Sequence, residues 1–186
     1  MNHVEAAKTP EQIRRIEYAL ADGHGQVYAD IWKIGINLAL RISDLLSLRY
    51  DQVAGDTLEL VEGKTKKRRV IRINAAAREV IDRRRREHPD HVYLFQGESN
   101  RARALGKPLS RSIVSRAFKA VGERRSISLR LNTHSMRKTR GWAMHNAGKP
   151  IELICMTLNH SSPAVTMRYL GITQEEVQAL ADEFCL

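Results

Sequence analysis

The sequence has little of what disulfide-rich, membrane-spanning or metal-binding proteins need. It has two cysteines in 186 residues, and neither H-x-x-x-H nor C-x-x-C spacing occurs. No uninterrupted apolar run approaches the roughly 20 residues that cross a bilayer, and the N-terminus lacks an apolar signal core. We therefore predict a soluble, cytoplasmic protein that binds no metal and no other cofactor.

Aromatic residues are also scarce, at 5% of the chain. Proteins that hold single-stranded nucleic acid often stack its bases on several aromatic side chains, and few are available here. We predict that Trp32 and Trp142 are core or interface residues and not stacking platforms.

Positive charge, by contrast, is in excess. The 31 lysines and arginines against 21 aspartates and glutamates give a net charge of +10 at pH 7. Such an excess of positive charge usually indicates that the protein binds a polyanion. An anionic membrane surface is the alternative to nucleic acid, but the basic residues are scattered over several segments and do not line one amphipathic helix. Nucleic acid is therefore the predicted partner.

Helical spacing of apolar residues dominates the first fifty positions. Thr9 has the form of a helix cap and Ser43 that of a second cap, before a short helix. The β-rich runs 57–61 and 69–73, joined by a polar stretch with several lysines, predict a hairpin with basic residues at its tip.

The rest of the chain is predicted to be helical. Asn74 and Ser110 are predicted to cap two helices, and further helices are predicted at about 133–147, 150–158, 163–169 and 173–186. The fold class is thus mainly α with a small antiparallel β-hairpin. The length suits a single domain over residues 1–186.

Cleaving a phosphodiester without a metal requires cationic side chains to stabilise the phosphoryl oxygens, together with a nucleophile, a general acid and a general base. Arginine suits the first task, because its planar fork makes paired hydrogen bonds to phosphate and stays charged. A tyrosine that attacks phosphorus forms a phosphotyrosyl ester, which keeps the bond energy for rejoining.

Residues of these types stand in three segments of the sequence: 39–48 (ALRISDLLSL), 134–139 (HSMRKT) and 158–169, which begins LNHSS and ends TMRY. Together they resemble the motifs of the phage integrase, or tyrosine recombinase, family. The 23 residues from Arg137 to His160 and the nine from His160 to Tyr169 are typical of that family. Any one segment is a weak signal, but the set in this order is a strong one.

The resemblance implies a role for six residues. Arg41 and Arg137 would bind the scissile phosphate, and His160 would add a hydrogen bond to it. His134 would accept the proton of Tyr169, the nucleophile. The family also has a lysine on a β-hairpin that protonates the departing 5′-oxygen. Lys64 is the best match to that lysine, with Lys66 as the alternative. The predicted catalytic set is therefore Arg41, Lys64, His134, Arg137, His160 and Tyr169.

Taken singly, each residue has a structural alternative. Arg41 lies in an apolar run, where a structural arginine would need a buried partner such as Asp44. Two positions also depart from the family pattern, with Asn159 where glycine is common and Lys138 where histidine is common. Neither departure removes a catalytic group.

The resemblance implies a recombinase catalytic domain that cuts and rejoins double-stranded DNA through a 3′-phosphotyrosyl intermediate. It also implies a homo-oligomer on DNA, a tetrameric synapse. The helix at 173–186 is expected either to be exchanged between protomers or to pack against its own domain. The sequence begins almost at the catalytic domain, so no N-terminal core-binding domain is expected. The alternatives are an inactive DNA-binding relative and a type IB topoisomerase-like activity that relaxes supercoils.

Overall fold

A computed structural model describes residues 4–97, 105–172 and 178, and places the chain in two compact units, residues 1–139 and 140–186. In these described stretches the secondary structure is mainly helical, with a two-stranded antiparallel sheet. The predicted fold class is confirmed. No helix in the same stretches is long and apolar enough to cross a membrane.

The first unit begins with three helices. They are α1 (Pro10–His24), α2 (Gln26–Leu38) and α3 (Ile42–Leu46). The predicted cap at the start of α1 is confirmed, since the Thr9 hydroxyl accepts a hydrogen bond from the Gln12 N–H at 3.1 Å. The predicted cap at Ser43 is wrong. That residue lies inside α3, and Arg41 precedes the helix with an extended backbone and no side-chain cap.

The hairpin follows a short 3₁₀ turn and consists of β1 (Thr57–Val61) and β2 (Arg68–Arg72). The strands are antiparallel, with Leu58 opposite Ile71 and Leu60 opposite Arg69. Leu58 is buried, so one face of this small sheet packs on the core of the unit. The predicted hairpin is confirmed, with its second strand one residue earlier than expected.

The remaining helices of this unit are α4 (Ala75–Glu87), α5 (Arg111–Gly122) and the first part of α6 (Thr133–Asn146). The predicted caps are present, since Asn74 accepts from the Ala77 N–H and Ser110 from the Ile113 N–H. Trp32 is fully buried and meets Phe118 edge to face at 5.9 Å between ring centroids. It is therefore a core residue, as predicted.

The second unit holds the end of α6 together with α7 (Ile151–Leu158) and α8 (Pro163–Leu170). Gly141 lies where these helices meet, because a Cβ atom there would stand 2.9 Å from Leu170 and 3.0 Å from Leu158. The short α8 begins at Ser162, whose hydroxyl accepts from the Val165 N–H, and ends at Gly171 in the left-handed conformation. The predicted helix at 173–186 lies outside the described residues, apart from Gln178.

Candidate active site

Arg41 owes its place to the end of α2. Ala39 ends that helix in the left-handed conformation, with φ 50° and ψ 34°, and its N–H still donates to the Gly35 carbonyl. The chain then turns and presents Arg41 just before α3. The guanidinium of Arg41 donates from Nη1 to Glu62, a carboxylate that is fully buried, and the arginine side chain is only 17% exposed. The first predicted arginine is therefore held in a fixed position.

Arg137 is buried on α6, one turn after the predicted base. Its Nη1 donates to the carbonyl oxygen of Ala39, two residues before Arg41. Close packing supports this contact, because a Cβ atom at Gly35 would stand 2.0 Å from the sulfur of Met136. The start of α6 thus lies directly on the end of α2, and both predicted arginines are tied to one backbone segment.

His134 lies in the first turn of α6, near several basic side chains. Desolvation is the largest effect that lowers the pKa of its imidazolium below the ordinary 6.5. The positive charges of Arg137, Arg111, Lys64 and Arg41 lower this pKa further. A neutral imidazole is the form that accepts a proton, so the surroundings favour the state that a general base requires.

Lys64 is exposed in the turn of the hairpin, where the prediction placed a basic tip. The turn is closed by backbone bonds, from the Glu62 N–H to the Lys67 carbonyl and from the Lys66 N–H to the Glu62 carbonyl. Lys66 has a left-handed backbone with φ 57°, which makes it part of the turn geometry. Lys64 is close enough to His134 for its charge to affect the histidine pKa, which supports the choice of Lys64.

In the second unit, the rings of His160 and Tyr169 meet edge to face, with 4.8 Å between centroids and 75° between planes. His160 follows α7, which ends at Asn159 in the left-handed conformation with φ 49°. Asparagine tolerates this conformation better than other residues with a Cβ, which explains why it can stand where glycine is common. The Nδ1 atom of His160 lies 3.1 Å from the hydroxyl of Thr166, which is fully buried.

Three polar residues of this site were not in the predicted set. Glu62 pairs with Arg41, whereas the sequence suggested Asp44 as the partner of a structural arginine. Asp44 instead accepts from the Gly63 N–H at 3.0 Å and so holds the hairpin turn. Thr166 contacts His160. Asp44 was considered in the sequence, in a different pairing, and Thr166 lies one helical turn before Tyr169, whereas Glu62 had no local signal.

The first unit thus brings together four of the six predicted residues, Arg41, Lys64, His134 and Arg137, and the second unit brings together His160 and Tyr169. The first group can hold an anion, take up a proton at a neutral imidazole and supply one from an ammonium group. The second group offers a phenol beside an imidazole. This is the inventory of a nucleophilic displacement at phosphorus that uses side chains alone.

The sequence model of the phage integrase family matches residues 8–176. The chain is also 33% identical over 180 residues to the probable integrase/recombinase YoeC of Bacillus subtilis (strain 168), a match that covers 96% of each. The chain belongs to the phage integrase family. The family membership and the recombinase fold together support a site-specific recombinase or integrase function.

Solved recombinases share this fold at low sequence identity. The crystal structure of XerA recombinase has a TM-score of 0.72 and 17% identity, and the match covers 97% of this chain and 64% of that one. A lambda integrase (75–356) dimer bound to a COC′ core site has a TM-score of 0.70 and 17% identity, with 90% and 59% covered. The chain therefore spans less than two thirds of each of these two solved chains.

Proposed function

We propose that this protein is a tyrosine recombinase that cleaves and rejoins double-stranded DNA, with Tyr169 as its nucleophile. The phenol oxygen of Tyr169 attacks the scissile phosphorus while His134 accepts the phenol proton. The bond from phosphorus to the 5′-oxygen breaks, and Lys64 protonates the departing oxygen. The product is a 3′-phosphotyrosyl ester and a free 5′-hydroxyl. Attack by another 5′-hydroxyl reverses these steps, releases the tyrosine and completes strand exchange.

Charge stabilisation on the phosphoryl oxygens is assigned to Arg41, Arg137 and His160. The observation that carries the proposal is the hydrogen bond from buried Arg137 to the Ala39 carbonyl, next to the segment that holds Arg41. A buried arginine is unfavourable unless hydrogen bonds compensate its lost hydration, and this contact fixes one arginine beside the backbone that carries the other. Donors fixed in advance stabilise developing charge without reorganisation, which is how such groups accelerate a reaction.

Double-stranded DNA is the proposed partner, supported by the net charge of +10 and by the DNA-bound state of the lambda integrase dimer. We further propose that the protein acts as one catalytic domain per protomer and that four protomers form the synapse. Residues 173–186 would link neighbouring protomers in that assembly. Cytoplasmic location follows from the same proposal, because the DNA substrate is there.

The direct test is trapping of the covalent complex. A duplex with a nick close to the cleavage site loses the short 5′-hydroxyl fragment after cleavage, so the enzyme stays bound through its tyrosine. We expect the parent to accumulate this complex and Tyr169→Phe to form none, although the variant still binds the duplex. Comparable trapping by the Phe variant would show that another residue is the nucleophile.

The two alternative functions are separated with the same preparations. If the protein is an inactive DNA-binding relative, the parent will bind the nicked duplex but form no covalent complex with it. A topoisomerase-like enzyme would relax a supercoiled plasmid that has one site, whereas a recombinase requires two sites to give exchanged products. Product analysis on plasmids with one and two sites distinguishes these outcomes.

A further inference from the structure

Glu62 is a buried carboxylate at the end of β1, with no exposed side-chain surface. A buried carboxylate is unfavourable unless hydrogen bonds compensate its lost hydration. Here one oxygen accepts from Arg41 and from the Thr65 hydroxyl at 2.7 Å, and the other accepts from Arg69 at 2.9 Å. Both oxygens are therefore occupied by donors from three different positions.

These donors connect two parts of the proposed machinery. Arg41 comes from the segment between α2 and α3, whereas Thr65 lies in the hairpin turn, directly after Lys64. Asp44 strengthens the same connection, because it accepts from the Gly63 N–H on the other side of Lys64. The residues on both sides of Lys64 thus donate to carboxylates, Gly63 to Asp44 of α3 and Thr65 to Glu62, which also pairs with Arg41.

The carboxylate of Glu62 also supplies a negative charge in a region with several cations. His134 feels the charges of Arg41, Lys64, Arg111 and Arg137, so several cations lie near one another in the first unit before any DNA is bound. Like charges repel, and a flexible arginine without a counter-charge would turn toward solvent. The pairing with Glu62 keeps Arg41 in place, and the arginine side chain is only 17% exposed.

We propose that Glu62 is a positioning residue, which orients Arg41 toward the scissile phosphate and holds the turn of Lys64 in the same arrangement. This inference rests on the proposed function of Arg41 and Lys64. The carboxylate does not touch DNA. It acts through Arg41, so its loss reduces the rate of the cleavage step more than the affinity for DNA.

The matched variants are Glu62→Gln and Glu59→Gln. Glu59 lies on β1, three residues before Glu62. It also pairs with an arginine, Arg68 at 2.5 Å, but that pair is exposed. Exposed pairs contribute little, so Glu59→Gln should behave as the parent. In single-turnover cleavage of the nicked duplex at saturating protein, we expect Glu62→Gln to be slower by roughly tenfold, as mid-range coupling energies imply. Its Kd for the duplex should change less than about twofold.

A double-mutant cycle separates positioning from a general structural role. If Glu62 acts chiefly through Arg41, adding Glu62→Gln to Arg41→Ala causes a smaller loss of rate than Glu62→Gln causes in the parent. A further loss equal to that in the parent background would overturn the proposal, as would a parent-like rate for Glu62→Gln alone. A parent-like rate for Arg41→Ala would instead contradict the proposed function itself.

Thermal melts accompany the kinetics, because removal of a buried charge also lowers stability. If Glu62→Gln does not fold, Glu62→Asp is measured in its place. It keeps the negative charge but is one methylene shorter, so it should fold and still cleave more slowly than the parent. A folded Glu62→Asp that cleaves at the parent rate would overturn the proposal.

Discussion

The hydroxyl of Thr166 provides a test of which tautomer His160 adopts in the second unit. The oxygen lies 3.1 Å from Nδ1 of His160 and 3.3 Å from the carbonyl oxygen of Ser162. A hydroxyl has one proton, so it donates to only one of these acceptors at a time. When it donates to Nδ1, the neutral imidazole carries its own proton on Nε2. That tautomer can donate from Nε2 to a phosphate, which is the role proposed for His160.

Thr166→Val removes the hydroxyl and leaves a side chain of the same shape. One such hydrogen bond contributes about 0.5–1.5 kcal/mol net. If the bond is present in the transition state and selects the tautomer, its loss slows cleavage by about twofold to tenfold, since each 1.4 kcal/mol corresponds to tenfold. Affinity for DNA should change little. Thr166→Ser keeps the hydroxyl and should cleave at a rate close to that of the parent.

Thr157 provides the control for this substitution. Its hydroxyl donates to the Leu153 carbonyl four residues earlier, at 2.8 Å, which is the same backbone contact that Thr166 makes to Ser162. Thr157→Val should therefore match the parent in single-turnover cleavage of the nicked duplex. The reasoning is refuted if Thr166→Val cleaves as fast as the parent, or if the Ser and Val variants are equally slow.

Two further predictions concern the proposed base and the assembly. In NMR titrations of the DNA-free protein, the pKa of His134 should lie below 6.5 and rise in Arg111→Gln, which removes a positive charge; a parent pKa at or above 6.5 would contradict this. Between the lowered pKa and 6.5 the unfolded chain binds the extra proton, so the free energy of unfolding should rise with pH across that interval. Removal of residues 173–186 should leave a folded protein that sediments on two-site DNA as isolated protomers. Unfolding, or intact assembly, would count against the exchange of this segment.

Local signals in the sequence predicted most of the secondary structure, because they act over three or four residues. Thr9, Asn74 and Ser110 each accept a hydrogen bond from the N–H three positions later, which is the contact that a cap residue makes. The same logic failed at Ser43. There the helix already begins at Ile42, after an extended Arg41 without a side-chain cap, and the cap pattern did not indicate this.

The site residues were predicted from their order and spacing in the sequence. Order and spacing indicate which side chains belong to one motif, but not what surrounds each side chain in the fold. The lowered pKa of His134 depends first on the desolvation of its ring and then on cations from four places in the chain, between Arg41 and Arg137, so no local pattern encodes it. The spacing likewise indicated that His160 and Tyr169 belong to one motif. It did not indicate that their rings would meet edge to face, which depends on how α7 and α8 pack.

The partner of Arg41 shows where such reasoning stops. Asp44 was the candidate from the sequence, as an acidic residue close to Arg41 along the chain. Arg41, however, precedes α3 with an extended backbone, so the helical spacing does not apply to it. Its partner comes from the hairpin, 21 residues along the chain, and Asp44 faces the same hairpin through Gly63. Both carboxylates thus serve the contact between two elements. A residue that binds substrate can be predicted from the chemistry of the reaction, whereas a residue that positions it depends on which elements the fold brings into contact.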